Sequence, residues 1–319
     1  MVVITGIDHN LSARSIIVKL AAIDIGSNAV RLLIEEVFIH KGTYHIEKVS
    51  FTRVPIRLGE DVFETGKISK EKSKQLIKTM KAFWYLMDVH NIEYFRACAT
   101  SAMREAENSV DVIDRIFKEA NVRIEVLSGQ EEANLIFANY EGNQFGGQEN
   151  LLFIDVGGGS CELTVLRKSK RKNGKSFDVG TVRMLSGKVP KKRWNEINEW
   201  VVENIEMKSN PVAVGTGGNI NTIFKLCGKK PNELLSYSEL SAQYNLLTSL
   251  TYEERITKLK LKPDRADVIV PAAEIYLRIM EMAGIDSMIV PKIGLSDGII
   301  LQLFNKWRNS VSKVEKLLD

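Results

Sequence analysis

Between Ile154 and Val165 the chain sets an aspartate, three consecutive glycines, a serine and a glutamate between two apolar runs. Without a Cβ, glycines let successive backbone N–H groups converge on one anion. Gly157, Gly158 and Gly159 therefore make a nest of phosphate size, to which Ser160 adds a hydroxyl donor. Asp155, at the mouth of the incoming run, is placed to hold a hard cation rather than the phosphate itself. A lone triple glycine more often serves only the backbone of a tight hairpin. Here a second copy shifts the balance: Ile23-Asp24-Ile-Gly26-Ser27-Asn28-Ala-Val-Arg31-Leu-Leu-Ile34 overlays Ile154 to Val165 without a gap, matching Asp24 to Asp155 and Gly26 to Gly157. Two such hairpins, each opening its half of the chain, imply two similar lobes that face one another and grip a phosphate from both sides.

Two further stretches belong with them. Ser128-Gly-Gln-Glu131 is a capping box, in which the N3 glutamate reaches back to the cap amide. Glu131 thus has a structural task, whereas its neighbour Glu132 has none and stands at a helix N-terminus just upstream of the second hairpin. On spacing alone the helix dipole is the better account of an acid at that position. Downstream, Pro211 to Val214 reads as a strand ending in Gly215-Thr216-Gly217-Gly218-Asn219 before a helix. A glycine turn between strand and helix points N–H groups, here those of Gly217 and Gly218, and a positive dipole end at an anion.

The elements that must position these groups follow from periodicity. Thr43 to Thr52 alternates as a third strand after the first hairpin, and Val54 to Gly59 reads as a loop. A helix over Ser69 to His90 buries Leu76, Met80, Phe83, Trp84 and Met87 on one stripe. Strand, helical turn, helix and strand follow to Leu127, which argues for an α/β lobe. In the second half the strands Leu151–Asp155 and Cys161–Leu166 are joined to a third through a basic run in which Asn173-Gly174 signals the turn. The helix opened by Lys191 runs to about Met207, and Ala266 to Met282 is amphipathic, with its first turn set apart by Pro271. The last helix begins at Gly294-Leu-Ser-Asp297-Gly298.

At 319 residues with 44% apolar and 26% charged content, the chain has the size and balance of two ordinary domains. A net charge of +4 suits an anionic ligand and is too small for a nucleic-acid binder. Cys98, Cys161 and Cys227 are odd in number and sit in apolar surroundings, so they read as reduced thiols of a cytoplasmic protein. No cysteine–histidine spacing suggests zinc, and no run reaches the roughly 20 apolar residues of a membrane span. Met1 to Val18 reads as an extension of unassigned fold.

The set Ala22-Ile-Asp24-Ile-Gly26-Ser27-Asn28, Ser128-Gly-Gln-Glu-Glu132-Ala133, Ile154-Asp155-Val-Gly-Gly-Gly-Ser160-x-Glu162, Gly215-Thr-Gly-Gly218 and Gly294-Leu-Ser-Asp-Gly298 resembles the exopolyphosphatase and guanosine pentaphosphate phosphohydrolase (Ppx/GppA) family. That family shares its superfamily with acetate and sugar kinases, heat-shock chaperone ATPases and actin. The likeness runs from about Leu20 to the C-terminus. It implies an α/β, duplicated ribonuclease-H-like (actin-like ATPase) fold: an extension 1–18, a first lobe 19–132 with 296–319 packed back on it, and a second lobe 133–295. It further implies hydrolysis, with Mg²⁺, of the terminal phosphoanhydride of inorganic polyphosphate or of the 5′ γ-phosphate of guanosine pentaphosphate. Glu132 matches the family's catalytic glutamate, and Asp155 and Glu162 match its metal-linked acids. Arg31, Arg104 and Arg265 match its phosphate-contacting arginines, beside the turns Gly26–Asn28 and Gly157–Ser160.

Longer members carry a helical domain beyond the point where this chain ends, so high processivity on long chains is not expected. Ala29 and Val30 stand where many members have a serine and an aromatic. An ATP-dependent small-molecule kinase on the same fold and a non-catalytic polyphosphate or alarmone sensor remain as alternatives. No nucleic-acid or membrane partner is expected, and a homodimer is left open.

Overall fold

The structure, a computed structural model, describes residues 16–40, 43–140, 148–168, 170–206 and 210–318, with side chains as far as 311. In its first half the elements are β1 (Ile16–Ile25), β2 (Val30–His40), β3 (Thr43–Val54), α1 (Leu58–Thr65), α2 (Lys70–Val89), β4 (Tyr94–Ala99), α3 (Ser101–Glu105), α4 (Ser109–Ala120), β5 (Ile124–Val126) and α5 (Gly129–Ala138). The second half runs β6 (Asn150–Val156), β7 (Cys161–Arg167), β8 (Lys170–Phe177), α6 (Thr181–Leu185), α7 (Lys191–Asn204), β9 (Val212–Thr216), α8 (Gly218–Leu226), β10 (Leu234–Ser236), α9 (Tyr237–Ser249), α10 (Tyr252–Thr257), α11 (Pro263–Ala266), α12 (Ile269–Met282), β11 (Ser287–Ile289) and α13 (Leu295–Leu318).

The duplication read from two hairpins extends through both sheets. The first has the order β3-β2-β1-β4-β5 and the second β10-β11-β9-β6-β7-β8. Taken from β8 inward, the second repeats the first: an antiparallel meander, then parallel partners, with β10 added antiparallel at the far edge. Register is the same as well, since Asp24 lies opposite Arg31 as Asp155 lies opposite Glu162. This is the duplicated ribonuclease-H-like arrangement that the resemblance implies.

Each lobe has its own apolar core, and a third core joins them. Ile23, Leu76, Met80 and Phe83 centre the first, and Ile154, Val201, Tyr276 and Met280 the second. Between the sheets, Leu20, Ala22, Leu33, Phe153 and Val214 meet Leu135 and Ile136 of α5 and Ile299, Ile300 and Phe304 of α13. Each such buried aliphatic or aromatic side chain contributes about 1.5–3 kcal/mol. The two helices touch backbone to backbone, because a Cβ on Gly298 would strike the carbonyl of Leu135. α13 also lies along β1, β2 and β4. The boundaries read at 132/133 and 295/296 therefore fall in or at the start of the two helices that fill the space between the lobes.

Several local readings are corrected. Ile16 to Val18, placed in the extension, pair with Val37 to Ile39 as the start of β1; residues 1–15 lie outside the described residues. Leu58 and Gly59, read as loop, open α1. Asn173-Gly174 does not make the turn but lies within β8, opposite Val165 and Thr164. The chain instead turns after Arg167, with Lys168 in the left-handed region. A register shift at Val165/Leu166 accommodates the displaced pair, and the Arg171 guanidinium covers the place where a Cβ on Gly174 would lie. α7 ends at Asn204; Met207 is outside the described residues. Cys98 and Cys161 are buried and Cys227 half-buried, all free. No helix among the described residues is long and apolar enough to cross a membrane.

One acid in β2 is costly to bury. Glu35 is 6% exposed, beside the β2–β3 register shift. Burial first, then Asp297 at the start of α13, pushes its carboxyl up to about 7, while Lys48 pulls the other way. The folded state then holds a proton, between its ordinary 4.5 and about 7, that the unfolded chain has released. A rise in pH through that window therefore favours unfolding. Glu35→Gln cannot ionise, so its stability advantage over the wild type should open by about 2 kcal/mol between pH 4.5 and 7.5. Urea unfolding at the two pH values measures this, and a constant gap would contradict it.

Candidate active site

Both hairpin turns close with the same hydrogen bond, Gly26 N–H to the Ala29 carbonyl at 3.1 Å and Gly157 N–H to the Ser160 carbonyl at 3.0 Å. Their tips meet. A Cβ on Gly158 would press on Ser27 Cβ and the Asn28 amide, and one on Gly159 would collide with Ser101 and Phe63. Only glycine allows this approach. Beside them opens a cleft of about 220 Å³ walled by both lobes. It is lined by Gly26, Ser27, Asn28 and Arg31 from the first hairpin, Asp155, Gly157, Gly158 and Ser160 from the second, Gly217 and Gly218 ahead of α8, and Glu132 and Arg265. The sequence reading is thus brought together at one place, with three exceptions.

Gly159, Glu162 and Arg104 do not line this cleft. Gly159 packs against the first lobe as described. Glu162, opposite Asp155 on β7, borders a small cavity with Ala133, Phe137 and Thr216, and its Oε1 accepts from the Ser176 hydroxyl at 2.7 Å. Arg104 donates to the Leu127 carbonyl at 2.6 Å, with its Nη1 3.9 Å from Glu132 Oε2. Ser27 lines the cleft, yet its hydroxyl is engaged by Ser101 Oγ at 2.7 Å and by the Ala102 amide at 3.2 Å.

Asp155 borders both the cleft and this small cavity, and around it three acids converge. Ligand oxygens of Glu132, Asp155 and Glu162 lie within 4.8 Å of one another. The capping box forms as the sequence dictates, with the Ser128 amide donating to Glu131 Oε2 at 2.8 Å. The helical register then turns the next carboxylate inward, leaving Glu132 7% exposed. Burial, then Glu162, Asp155 and Asp24, push its pKa well above the usual range, with Arg104 pulling the other way. Burial and Asp155 lift Glu162 to about 7. Asp155 is raised by burial too, although the Thr216 hydroxyl donates to it.

The duplication explains why charge accumulates on this side. Arg31 Nη1 donates to Asp24 Oδ2 at 2.5 Å, so the first hairpin neutralises its own aspartate. At the matching register position of the second hairpin stands Glu162, which adds a negative charge instead. Glu132 Oε2 and Glu162 Oε2 are buried without a hydrogen-bond partner among the described residues. Two orphaned carboxylate oxygens beside a third acid form a hard, anionic donor set that fits a divalent cation.

Sequence reasoning missed part of the lining: Lys48, Phe51 and Arg53 of β3, Asn219 and Asn221 of α8, and Lys292 and Asp297 before and in α13. Asn219 and Asp297 lay inside quoted motifs and were passed over. Arg53 has a structural signal only, its position opposite Arg31 on the neighbouring strand.

Comparison with known proteins agrees with this geometry. The Ppx/GppA phosphatase family model matches residues 37–307. Exopolyphosphatase 1 of Mycobacterium tuberculosis is 26% identical over 93% of this chain and 91% of its own length. A bifunctional 3-dehydroquinate synthase/phosphatase of Fusobacterium nucleatum is 30% identical over 88% of this chain and 46% of its own. The crystal structure of an exopolyphosphatase-like protein superposes with a TM-score of 0.77 at 27% identity, covering 90% of this chain and 98% of that one. An exopolyphosphatase from Cytophaga hutchinsonii shares the fold at a TM-score of 0.77 and 23% identity, over 90% of this chain and 98% of its own. A match over most of the chain, joined to two glycine turns beside three clustered acids, shows that the chain belongs to the Ppx/GppA phosphatase family.

Proposed function

We propose that this cleft hydrolyses the terminal phosphoanhydride of inorganic polyphosphate or guanosine pentaphosphate and releases orthophosphate. The observation that carries the reading is the cluster of Glu132, Asp155 and Glu162, of which Glu132 and Asp155 line a cleft walled by paired glycine turns and Glu162 stands in the small cavity that Asp155 also borders. The names of relatives support it: exopolyphosphatases, and a guanosine-5′-triphosphate,3′-diphosphate pyrophosphatase of Vibrio parahaemolyticus at 22% identity. The kinase alternative would need an acceptor site, and family membership favours neither it nor the sensor.

In this reading the Gly157–Ser160 turn, the backbone of Gly26–Asn28 and the Gly217–Gly218 turn hold the oxygens of the terminal phosphoryl group. Arg31 and Arg265, which line the cleft, neutralise them, while Arg104, held by the Leu127 carbonyl, faces Glu132. Glu132 accepts a proton from a water aligned on phosphorus. The new P–O bond forms as the anhydride P–O bond breaks, and the bridging oxygen leaves on the shortened chain. Burial and the neighbouring acids raise the pKa of Glu132, which makes its carboxylate a stronger base toward that water. Asp155 and Glu162 would hold Mg²⁺, which when bound offsets charge on the phosphates. We place this chemistry in the cytoplasm, in keeping with three free cysteines. The test is orthophosphate release from tripolyphosphate and from guanosine pentaphosphate, each with and without Mg²⁺. No release from either would end the reading.

One observation favours the nucleotide. Phe51 lines the cleft yet is 51% exposed, with Lys48 Nζ 5.8 Å from its ring centroid. A bare phosphate chain has no use for an exposed phenyl face, whereas a purine stacks on one for about 1–3 kcal/mol. Phe51→Ala should lower kcat/KM on guanosine pentaphosphate about tenfold and leave tripolyphosphate within about twofold. Equal effects on both substrates would return Phe51 to the edge strand as a bystander.

A further inference from the structure

Across the three strands of the first meander, one register row reads Asp24, Arg31, Arg53. Neighbouring strands lie about 4.8 Å apart, so Arg53 stands one strand further from Asp24 than Arg31 does. Its guanidinium faces the cleft and crosses to the other lobe, where Nη1 donates to Asp264 Oδ2 at the start of α11. Both side chains are 12% exposed. Asn28 reinforces this crossing, donating to the Asp264 carbonyl at 3.2 Å.

Three guanidinium groups therefore share the cleft. Arg31 has Asp24 and Arg53 has Asp264, while Arg265 is hydrogen-bonded to the neutral amide of Asn219 at 2.7 Å. Arg53 Nε is buried with no hydrogen-bond partner among the described residues. Burial is the main cause that presses the Arg265 pKa down to about 10, and the neighbouring Arg53 and Arg31 add to it. A purely structural strut would be better served without a second cation at its side. Arg31 is close enough to the acids for Asp155 and Glu132 to act on it, whereas the charges acting on Arg53 are Asp264, Arg31 and Arg57. The row thus runs outward from the reacting end.

We propose that Arg53 binds the phosphoryl group next to the one released, holding the penultimate link of the chain while Arg31 serves the terminal one. Asp264 keeps the guanidinium extended into the cleft. This rests on the phosphatase reading and adds a residue to it. Substrate affinity then depends on Arg53, but occupancy of the terminal site alone does not.

The experiment compares wild type and Arg53→Met in Mg²⁺, reading tripolyphosphate hydrolysis and competitive inhibition by orthophosphate, which fills only the terminal site. Arg53→Met should raise KM about tenfold or more, leave kcat within about threefold, and leave the orthophosphate inhibition constant unchanged. Because Arg53→Met strands Asp264, the double variant Arg53→Met/Asp264→Asn removes both charges and should show the same rise in KM. An unchanged KM in both variants, with only a lower thermal midpoint, would reduce Arg53 to an interlobe strut and overturn the proposal. Equal weakening of orthophosphate inhibition would overturn the assignment to the penultimate group. A wild type that releases no phosphate would remove the phosphatase reading itself, and this one with it.

Discussion

Glu132→Gln should lower kcat for orthophosphate release by about a thousandfold, within the range of 10²–10⁴ that a positioned general base supplies. Glutamine keeps the shape of the side chain but cannot take a proton from water. KM should stay within about threefold, because the turns and arginines proposed to hold substrate are untouched. The neighbouring position is the control. Glu131 serves the capping box through its bonds to Ser128, so Glu131→Ala should lower the thermal midpoint and leave kcat nearly unchanged. Stopped or steady-state phosphate release on both variants, with thermal melts, separates the two glutamates. Near-normal turnover in Glu132→Gln would remove it from the proposed role.

That contrast was legible before any coordinates, because a capping box states which glutamate is engaged with its own backbone. The paired hairpins were legible for a similar reason: glycine at matched positions records where backbones come together, and Gly158 and Gly159 do meet the first lobe. Other features left no local trace. α1 begins after Arg57, which is in the left-handed region and makes no side-chain cap bond, so the usual start signal is missing. It nevertheless supplies Phe63, over which the Arg183 guanidinium lies at 4.1 Å. Asn173-Gly174 carried the opposite error, a strong turn signal overridden by the pairing of β7 with β8. Arg53 was hidden because its relation to Arg31 is a cross-strand one. A register shift at Ile34/Glu35 breaks simple counting along the β2–β3 pair.

The same duplication yields the second large effect, since it separates two aspartates of identical local geometry. Asp24 and Asp155 end equivalent strands, but Arg31 answers the first and Glu162 stands across from the second. On the proposed assignment a divalent cation is therefore called for at Asp155 and redundant at Asp24. Chelation should abolish phosphate release, and added Mg²⁺ should restore it. Asp155→Asn keeps an oxygen for the Thr216 hydroxyl while removing the charge, so the fold should persist. Titration calorimetry with Mg²⁺ or Mn²⁺ should show affinity down at least tenfold, with phosphate release reduced about a hundredfold or more. Asp24→Asn, which frees Arg31 instead, should leave metal affinity within about threefold, whatever it does to turnover. Equal loss of metal in both variants, or none in Asp155→Asn, would show that the two lobes contribute symmetrically. The charge difference between Arg31 and Glu162 would then not be what places the cation.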